Sequence, residues 1–268
     1  MDYIGLPERA TQNRIVKLFQ EQLHYDYLGN WEDRPNNQNI EEEYLRNYLV
    51  KQGYSHVQIT RAINQLRTTT NNYNESLYTN NKNTYALLRY GVNVLEDAGE
   101  NYQNVQLIDW ENPEANHFAI AEEVTVLSNR EKRPDIVLYV NGIAIGVLEL
   151  KRSTISIGDG IRQNITNQQK EFIQSFFSTV QFVFAGNDSE GLRYGSIGTG
   201  EKYFLKWKED EDDNSMYQVD KYLIKMCNKQ RLLELMFDFV LFDGGIKKLP
   251  RVHQFFAIKA AQESIRKR

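Results

Sequence analysis

The stretch RPDIVLYVNGIAIGVLELKR, residues 133–152, admits few folds. Two runs rich in Val, Ile, Leu and Tyr flank Asn141-Gly142, a dipeptide that favours a tight turn between strands. The runs are apolar at nearly every position, so the hairpin is expected at the centre of a sheet with both faces covered. Three charged residues interrupt it: Asp135 at the entry, Glu149 and Lys151 at the exit.

Whether those three groups meet depends on the turn. A two-residue Asn141-Gly142 turn pairs Val140 with Ile143 and sets Asp135 opposite Leu148, leaving Glu149 on the other face. A three-residue loop, with Gly142 left-handed, pairs Tyr139 with Ile143 instead. Asp135 then faces Val147, and Glu149 is its diagonal neighbour on the same face, about 7–8 Å away between Cα atoms. Lys151 follows on that face. The sequence therefore predicts the three-residue loop, or an equivalent bulge, if the carboxylates act together.

Two carboxylates converging on a sheet surface repel each other unless a cation or a proton intervenes. Hard oxygen ligands favour Mg²⁺, which keeps waters that a phosphate can share. Such an ion activates a bound water and neutralises charge on a scissile phosphate, and a lysine two residues on could stabilise either species. A lone Asp, or Glu-x-Lys alone, describes many solvated strand ends; the pairing across an apolar hairpin is what directs attention here.

The rest of the chain bounds the answer. Its 268 residues, 41% apolar, suffice for one large domain or a domain with an appendage. No run is long enough to span a bilayer, and the amino terminus lacks signal-peptide regions, so a cytoplasmic location is expected. The single cysteine, Cys227, suits a reducing compartment, and the four scattered histidines offer no zinc-ligand spacing. A net charge of −4 argues against coating nucleic acid by bulk electrostatics but leaves room for a local basic groove. The acidic run KEDEDDN, residues 208–214, reads as a solvated loop.

Helical periodicity marks LPERATQNRIVKLFQEQL, with Pro7 in the first turn, then IEEEYLRNYLVKQ and SHVQITRAINQL, with Gly53 as a stop and Ser55 as an N-cap. TTTNNYNESLYTNNKN reads as loop. NVQLIDW, HFAIAEEVTVL, DIVLYV, IAIGVLEL, VQFVFAG, LRYGSIG and KYFLKW read as strands. A helix is expected from near Asp159 through Phe176, and three more close the chain. The expected class is α/β: a mixed sheet flanked by helices, with helical additions at both ends.

RPD followed by ELK resembles the PD-(D/E)xK nuclease motif. ERATQNRIVKLFQ, YLGNW, GDGIRQN, STVQFVFAGND, EGLRYGSIGT and DGGIKKLPRVHQFFAIKAA, in that order, resemble the amino-terminal endonuclease region of the R (restriction and motor) subunit of type I restriction enzymes. The resemblance implies Asp135 and Glu149 as metal ligands, Lys151 as the catalytic lysine and Glu8 as an acidic residue on the first helix close to the metal. Gln163 matches the Gln of the family's Gln-x-x-x-Tyr, while Asn167 stands where Tyr is usual. Arg133, Arg152 and Arg162 cluster around the site in sequence and are candidate phosphate contacts.

The implied arrangement is a nuclease domain over residues 1–245, with a helical part to about residue 95 and a core from about 100 to 210. Residues 246–268 would begin a helicase-like motor. No G-x-x-x-x-G-K-[ST] loop occurs, so ATP would be bound only by motor domains outside this chain. The implied partners are double-stranded DNA and the modification (methyltransferase) and specificity subunits. A non-catalytic docking module or a stand-alone repair nuclease are the competing expectations.

Overall fold

The computed structural model describes residues 8–96, 101–209 and 216–267; Pro7 and most of the acidic run lie outside the described residues. Helix α1 (Glu8–Glu21) leads into strand β1 (Asp26–Asn30) and helices α2 (Glu42–Lys51), α3 (His56–Thr70) and α4 (Leu77–Tyr90). A small hairpin, β2 (Val92–Val94) and β3 (Gln103–Val105), precedes β4 (Phe118–Glu122), β5 (Ile136–Val140) and β6 (Ile143–Leu150). Then come α5 (Ile157–Asn167), β7 (Phe182–Asn187), β8 (Gly191–Gly195), α6 (Gln218–Cys227) and α7 (Lys229–Phe239). The hairpin of β9 (Leu241–Asp243) and β10 (Ile246–Lys248) and helix α8 (Val252–Arg266) complete the described chain.

Six strands form one mixed sheet in the order β1-β4-β5-β6-β7-β8, parallel at β1/β4 and β6/β7 and antiparallel elsewhere. The sheet is covered on both faces, as the apolar hairpin demanded, and every residue of β5 and β6 is buried. Ile136, Leu138, Val140 and Leu148 join one core with α1, α2, α3, α6 and α7. Val137, Tyr139 and Val147 join the other with α5 and the turn at Phe176 and Phe177. The expected α/β class with a mixed sheet is what the protein adopts. Among the described residues no helix is long and apolar enough to cross a membrane.

The hairpin itself departs from the predicted three-residue loop. Val140 pairs with Ile143 across a two-residue turn, with Asn141 at φ 51° and Gly142 at φ 77°. The odd residue sits further down: Tyr139 pairs with Ala144 but Leu138 with Gly146, so Ile145 is an extra residue in β6. This is the equivalent bulge, moved off the turn, and packing explains its position. Asn141 is buried and donates to Leu107 O and Asn116 Oδ1 while accepting from His117 N, and a Cβ on Gly142 would lie 2.6 Å from Glu41 O. The turn is wedged too tightly to accept another residue.

Several local expectations differ from the fold. Of the expected loop 68–83, residues 68–70 end α3 and residues 77–83 open α4, where Ser76 is the N-cap and buried Asn81 donates to the Phe177, Ser178 and Val180 carbonyls. The helix expected through Phe176 stops at Asn167, whose carbonyl accepts from Ile173 N as the chain turns. NVQLIDW gives only the short β3, outside the main sheet, and KYFLKW is a 3₁₀ turn followed by a single bridge from Leu205 to Tyr194. Ser55 is the predicted N-cap, in a capping box with Gln58.

The carboxy-terminal segment packs on this core. Buried Lys247 donates to Asn81 Oδ1 at 2.8 Å and Gln181 Oε1 at 2.5 Å, Tyr194 OH donates to Pro250 O, and Phe255 packs edge-to-face against Trp207 and at a tilt against Phe239.

Candidate active site

The bulge decides the site. Ile136 pairs with Leu148, so one further step of the register sets Asp135 opposite Glu149, not opposite Val147 as the three-residue loop predicted. Both carboxylates lie on the face of Val137 and Val147, and Lys151 follows two residues on. Asp135 Oδ2 accepts from the amide of Leu150 at 2.6 Å, which locks the carboxylate across the strand pair.

Glu149 is fully buried, and neither of its carboxylate oxygens has a hydrogen-bond donor among the described residues. A buried carboxylate without donors is costly as an anion. Its pKa is accordingly raised well above the ordinary value, by burial first and by the Asp135 charge second, against the pull of Lys151. Asp135 is pushed up to about 6, again chiefly by burial, with Lys151 and the Leu150 amide opposing. Both groups are therefore arranged to accept a proton or a cation. Oxygen donors of this kind fit a hard divalent ion, and the orphaned oxygens of Glu149 are the observation that supports the fit. Among the described residues no three His, Cys, Asp or Glu side chains form a closed metal cage, so waters or substrate oxygens would complete any shell.

Lys151 leaves the end of β6, where its amide donates to Gly186 O. Its Nζ donates to Leu150 O at 2.9 Å and lies 3.7 Å from Glu8 Oε1. Glu8 thus meets the site through the lysine. Helix α5 closes the face from above at Gly160, where a Cβ would lie 3.5 Å from Lys151 Cγ and 3.6 Å from Glu149 Cβ. Gln163, one turn on, lines a groove of about 500 Å³ together with Glu8, Glu123, Lys132, Asp135 and Lys151. Asn167 is fully buried, neither of its amide atoms has a partner among the described residues, and it does not line the groove.

The arginines divide. Arg133 pairs with Glu32 and with Glu123 Oε2, the latter at 2.9 Å, and Arg162 pairs with Asp159 and Glu201. Arg152 is exposed and has no carboxylate partner among the described residues. Sequence reasoning missed Gln12, Glu122 and Glu123. Gln12 Nε2 donates to both carboxylates, and Glu123 lines the groove. The signal was present: two adjacent carboxylates inside the apolar run HFAIAEEVTVL, the same kind of anomaly as in the hairpin.

The family model described as type I restriction enzyme R protein N terminus matches residues 5–202. The chain is 27% identical over 228 residues to the putative type I restriction enzyme MjaIXP endonuclease subunit of Methanocaldococcus jannaschii, covering 75% of this chain and 22% of that protein. It is 27% identical over 204 residues to the type I restriction enzyme HindI endonuclease subunit of Haemophilus influenzae, covering 70% of this chain and 19% of that protein. The chain thus spans about a fifth of the length of these curated relatives. With a buried carboxylate pair and a lysine on the central hairpin, and a family match over most of its length, the chain belongs to the R proteins of type I restriction enzymes, in their amino-terminal region.

Proposed function

We propose that this domain hydrolyses DNA phosphodiester bonds as the endonuclease of a type I restriction enzyme R subunit, with Asp135, Glu149 and Lys151 as its catalytic set. The observation that carries the proposal is Glu149: fully buried, facing a second carboxylate and without a hydrogen-bond donor among the described residues, it offers acceptor oxygens that a bound cation would satisfy. Asp135 and Glu149 would hold Mg²⁺, which when bound supplies a water of lowered pKa and a counter-charge for phosphate oxygens. The chain's own residues do the rest. The Leu150 amide keeps one Asp135 oxygen fixed, so the other is the free donor. Lys151, held between Leu150 O and Glu8, points its ammonium into the groove, where it stabilises negative charge on the phosphate or the attacking oxygen. Gln163, on the groove wall, orients that phosphate. Glu8 acts here as the partner of Lys151 and adds negative charge beside the metal ligands.

Arg152 is the cation most ready for a DNA phosphate, since it meets no carboxylate among the described residues; Arg133 and Arg162 would exchange a carboxylate for a phosphate on binding. Modification and specificity subunits and an ATP-driven motor in the remainder of the polypeptide are the proposed partners. The nuclease unit is assigned to residues 1–245, and residues 246–268 to the lead-in to that motor, packed on the nuclease through Lys247 and Phe255. Glu149→Ala in the full-length complex tests the reading. Cleavage should fall by at least about 100-fold while ATP hydrolysis and translocation persist. Cleavage at the wild-type rate would refute it and favour a docking module.

A further inference from the structure

The junction after β4 carries an arrangement that the proposed reaction leaves unexplained. Successive strand residues point to opposite faces, yet Glu122 and Glu123 both reach toward α1. The cause is the backbone of Glu123, at φ 50°, a left-handed conformation that a residue with a side chain seldom adopts. Its amide still donates to Asp135 O at 2.9 Å, so the turn occurs without parting β4 from the strand that carries the site.

Turned this way, the two carboxylates grip one face of α1. Arg9 donates to Glu122 at 3.0 Å and to Glu123 at 3.4 Å. Gln12 Nε2 donates to Glu122 at 3.2 Å and to Glu123 at 2.9 Å. Arg9 and Gln12 are three residues apart and so share a helix face. Two carboxylates spanning that face fix the roll of the helix as well as its position, which one carboxylate alone would not do. Glu8 immediately precedes Arg9, and its distance from Lys151 is set by that roll. The second Glu123 oxygen accepts from Arg133 Nε at the groove rim. A left-handed Glu persists only where its surroundings over-determine it, and here Arg9, Gln12 and Arg133 do so.

We infer that Glu123 is a positioning residue of the nuclease site, holding the first turn of α1 and thereby the approach of Glu8 to Lys151. The inference rests on the nuclease reading above and goes beyond it in tying activity to a residue whose side chain grips α1 and Arg133 rather than either proposed metal ligand.

A double-mutant cycle in the assembled enzyme tests it, with Glu123→Gln, Glu8→Gln and the pair, read as single-turnover cleavage rates and as amide hydrogen exchange over residues 8–14. Each single variant is expected to slow cleavage by about 10- to 100-fold, the cost usual for residues that orient a ligand shell. The pair should be no slower than the slower single variant, because both act through one contact. Glu123→Gln should also speed exchange in residues 8–14 while β5 and β6 stay protected. Multiplying effects, a silent Glu123→Gln, or exchange raised throughout the sheet would each overturn the inference. Glu123→Asp, which tolerates a left-handed backbone and keeps the charge but withdraws the carboxylate by one methylene, covers the case where Glu123→Gln fails to fold; it should still speed exchange in residues 8–14, and unchanged exchange there would overturn the inference. If Glu149→Ala abolishes cleavage but the cycle is additive, this inference falls and the nuclease reading stands; if Glu149→Ala cuts normally, the nuclease reading itself falls.

Discussion

Asp135 and Glu149 share one electrostatic predicament at the residue scale, and it yields a stability signature independent of catalysis. The Asp135 pKa rises from 3.8 to about 6 on folding, and Glu149 moves in the same direction. A carboxyl whose folded pKa lies above its unfolded one contributes stability that is fully present only below about pH 4, and that contribution is lost as the pH climbs through about 6. In metal-free buffer, Asp135→Asn should therefore be stabilising at pH 8 relative to its effect at pH 4. The difference should approach about 3 kcal/mol, from 1.36 kcal/mol for each unit of pKa displacement. Urea unfolding at the two pH values in EDTA measures it, and a pH-independent effect would contradict the burial argument. Adding Mg²⁺ should raise the wild-type midpoint and leave that of the variant nearly unchanged, since only the wild type presents both carboxylates.

At the scale of elements, two hairpin features set the register. The turn fixes the pairing of Val140 with Ile143, and the bulge at Ile145 changes its phase so that Asp135 and Glu149 coincide. The turn tolerates little change. Gly142→Ala would set a Cβ against Glu41 O in a left-handed conformation, and should cost about 1–3 kcal/mol in urea unfolding. A cost near zero would mean that the α2 entry yields instead. The bulge residue is the sharper test of phase. Deleting Ile145 leaves Ala144 opposite Tyr139 and Gly146 opposite Leu138, so the strands alternate regularly and Asp135 still faces Glu149. Divalent-ion binding should persist, at a core cost from the lost Ile145 side chain. Loss of ion binding with the fold intact would show that the local geometry of the bulge, and not the pairing alone, shapes the site.

At the scale of the whole molecule, α8 and the β9–β10 hairpin are held to the rest of the described chain by a few anchors. Phe255 is the only buried side chain of α8, against Trp207 and Phe239. Phe255→Ala should destabilise the domain by about 3–5 kcal/mol, the usual cost of emptying an aromatic site. It should also expose the basic helix to trypsin before the core unfolds, which limited proteolysis followed by mass analysis would show. Loss of the core and the helix together would mean that the segment is integral to the fold.

The sheet and the placing of three charged residues on its central hairpin were legible in the sequence because both rest on local rules. Continuously apolar runs around Asn141-Gly142 specify a doubly covered hairpin, and three charged residues in it stand out as an anomaly. The order of strands, the roll of α1 and the place of the bulge were not legible, because each is settled by contacts between distant segments. Asn141 is wedged between Leu107 and Asn116, Glu41 closes over Gly142, and Arg9 and Gln12 meet Glu122 and Glu123 from more than a hundred residues away. The sequence by itself determined that two carboxylates and a lysine stand on a central hairpin. Tertiary packing decided that they share a face, because only the crowding around the turn forces the extra residue down the strand to Ile145.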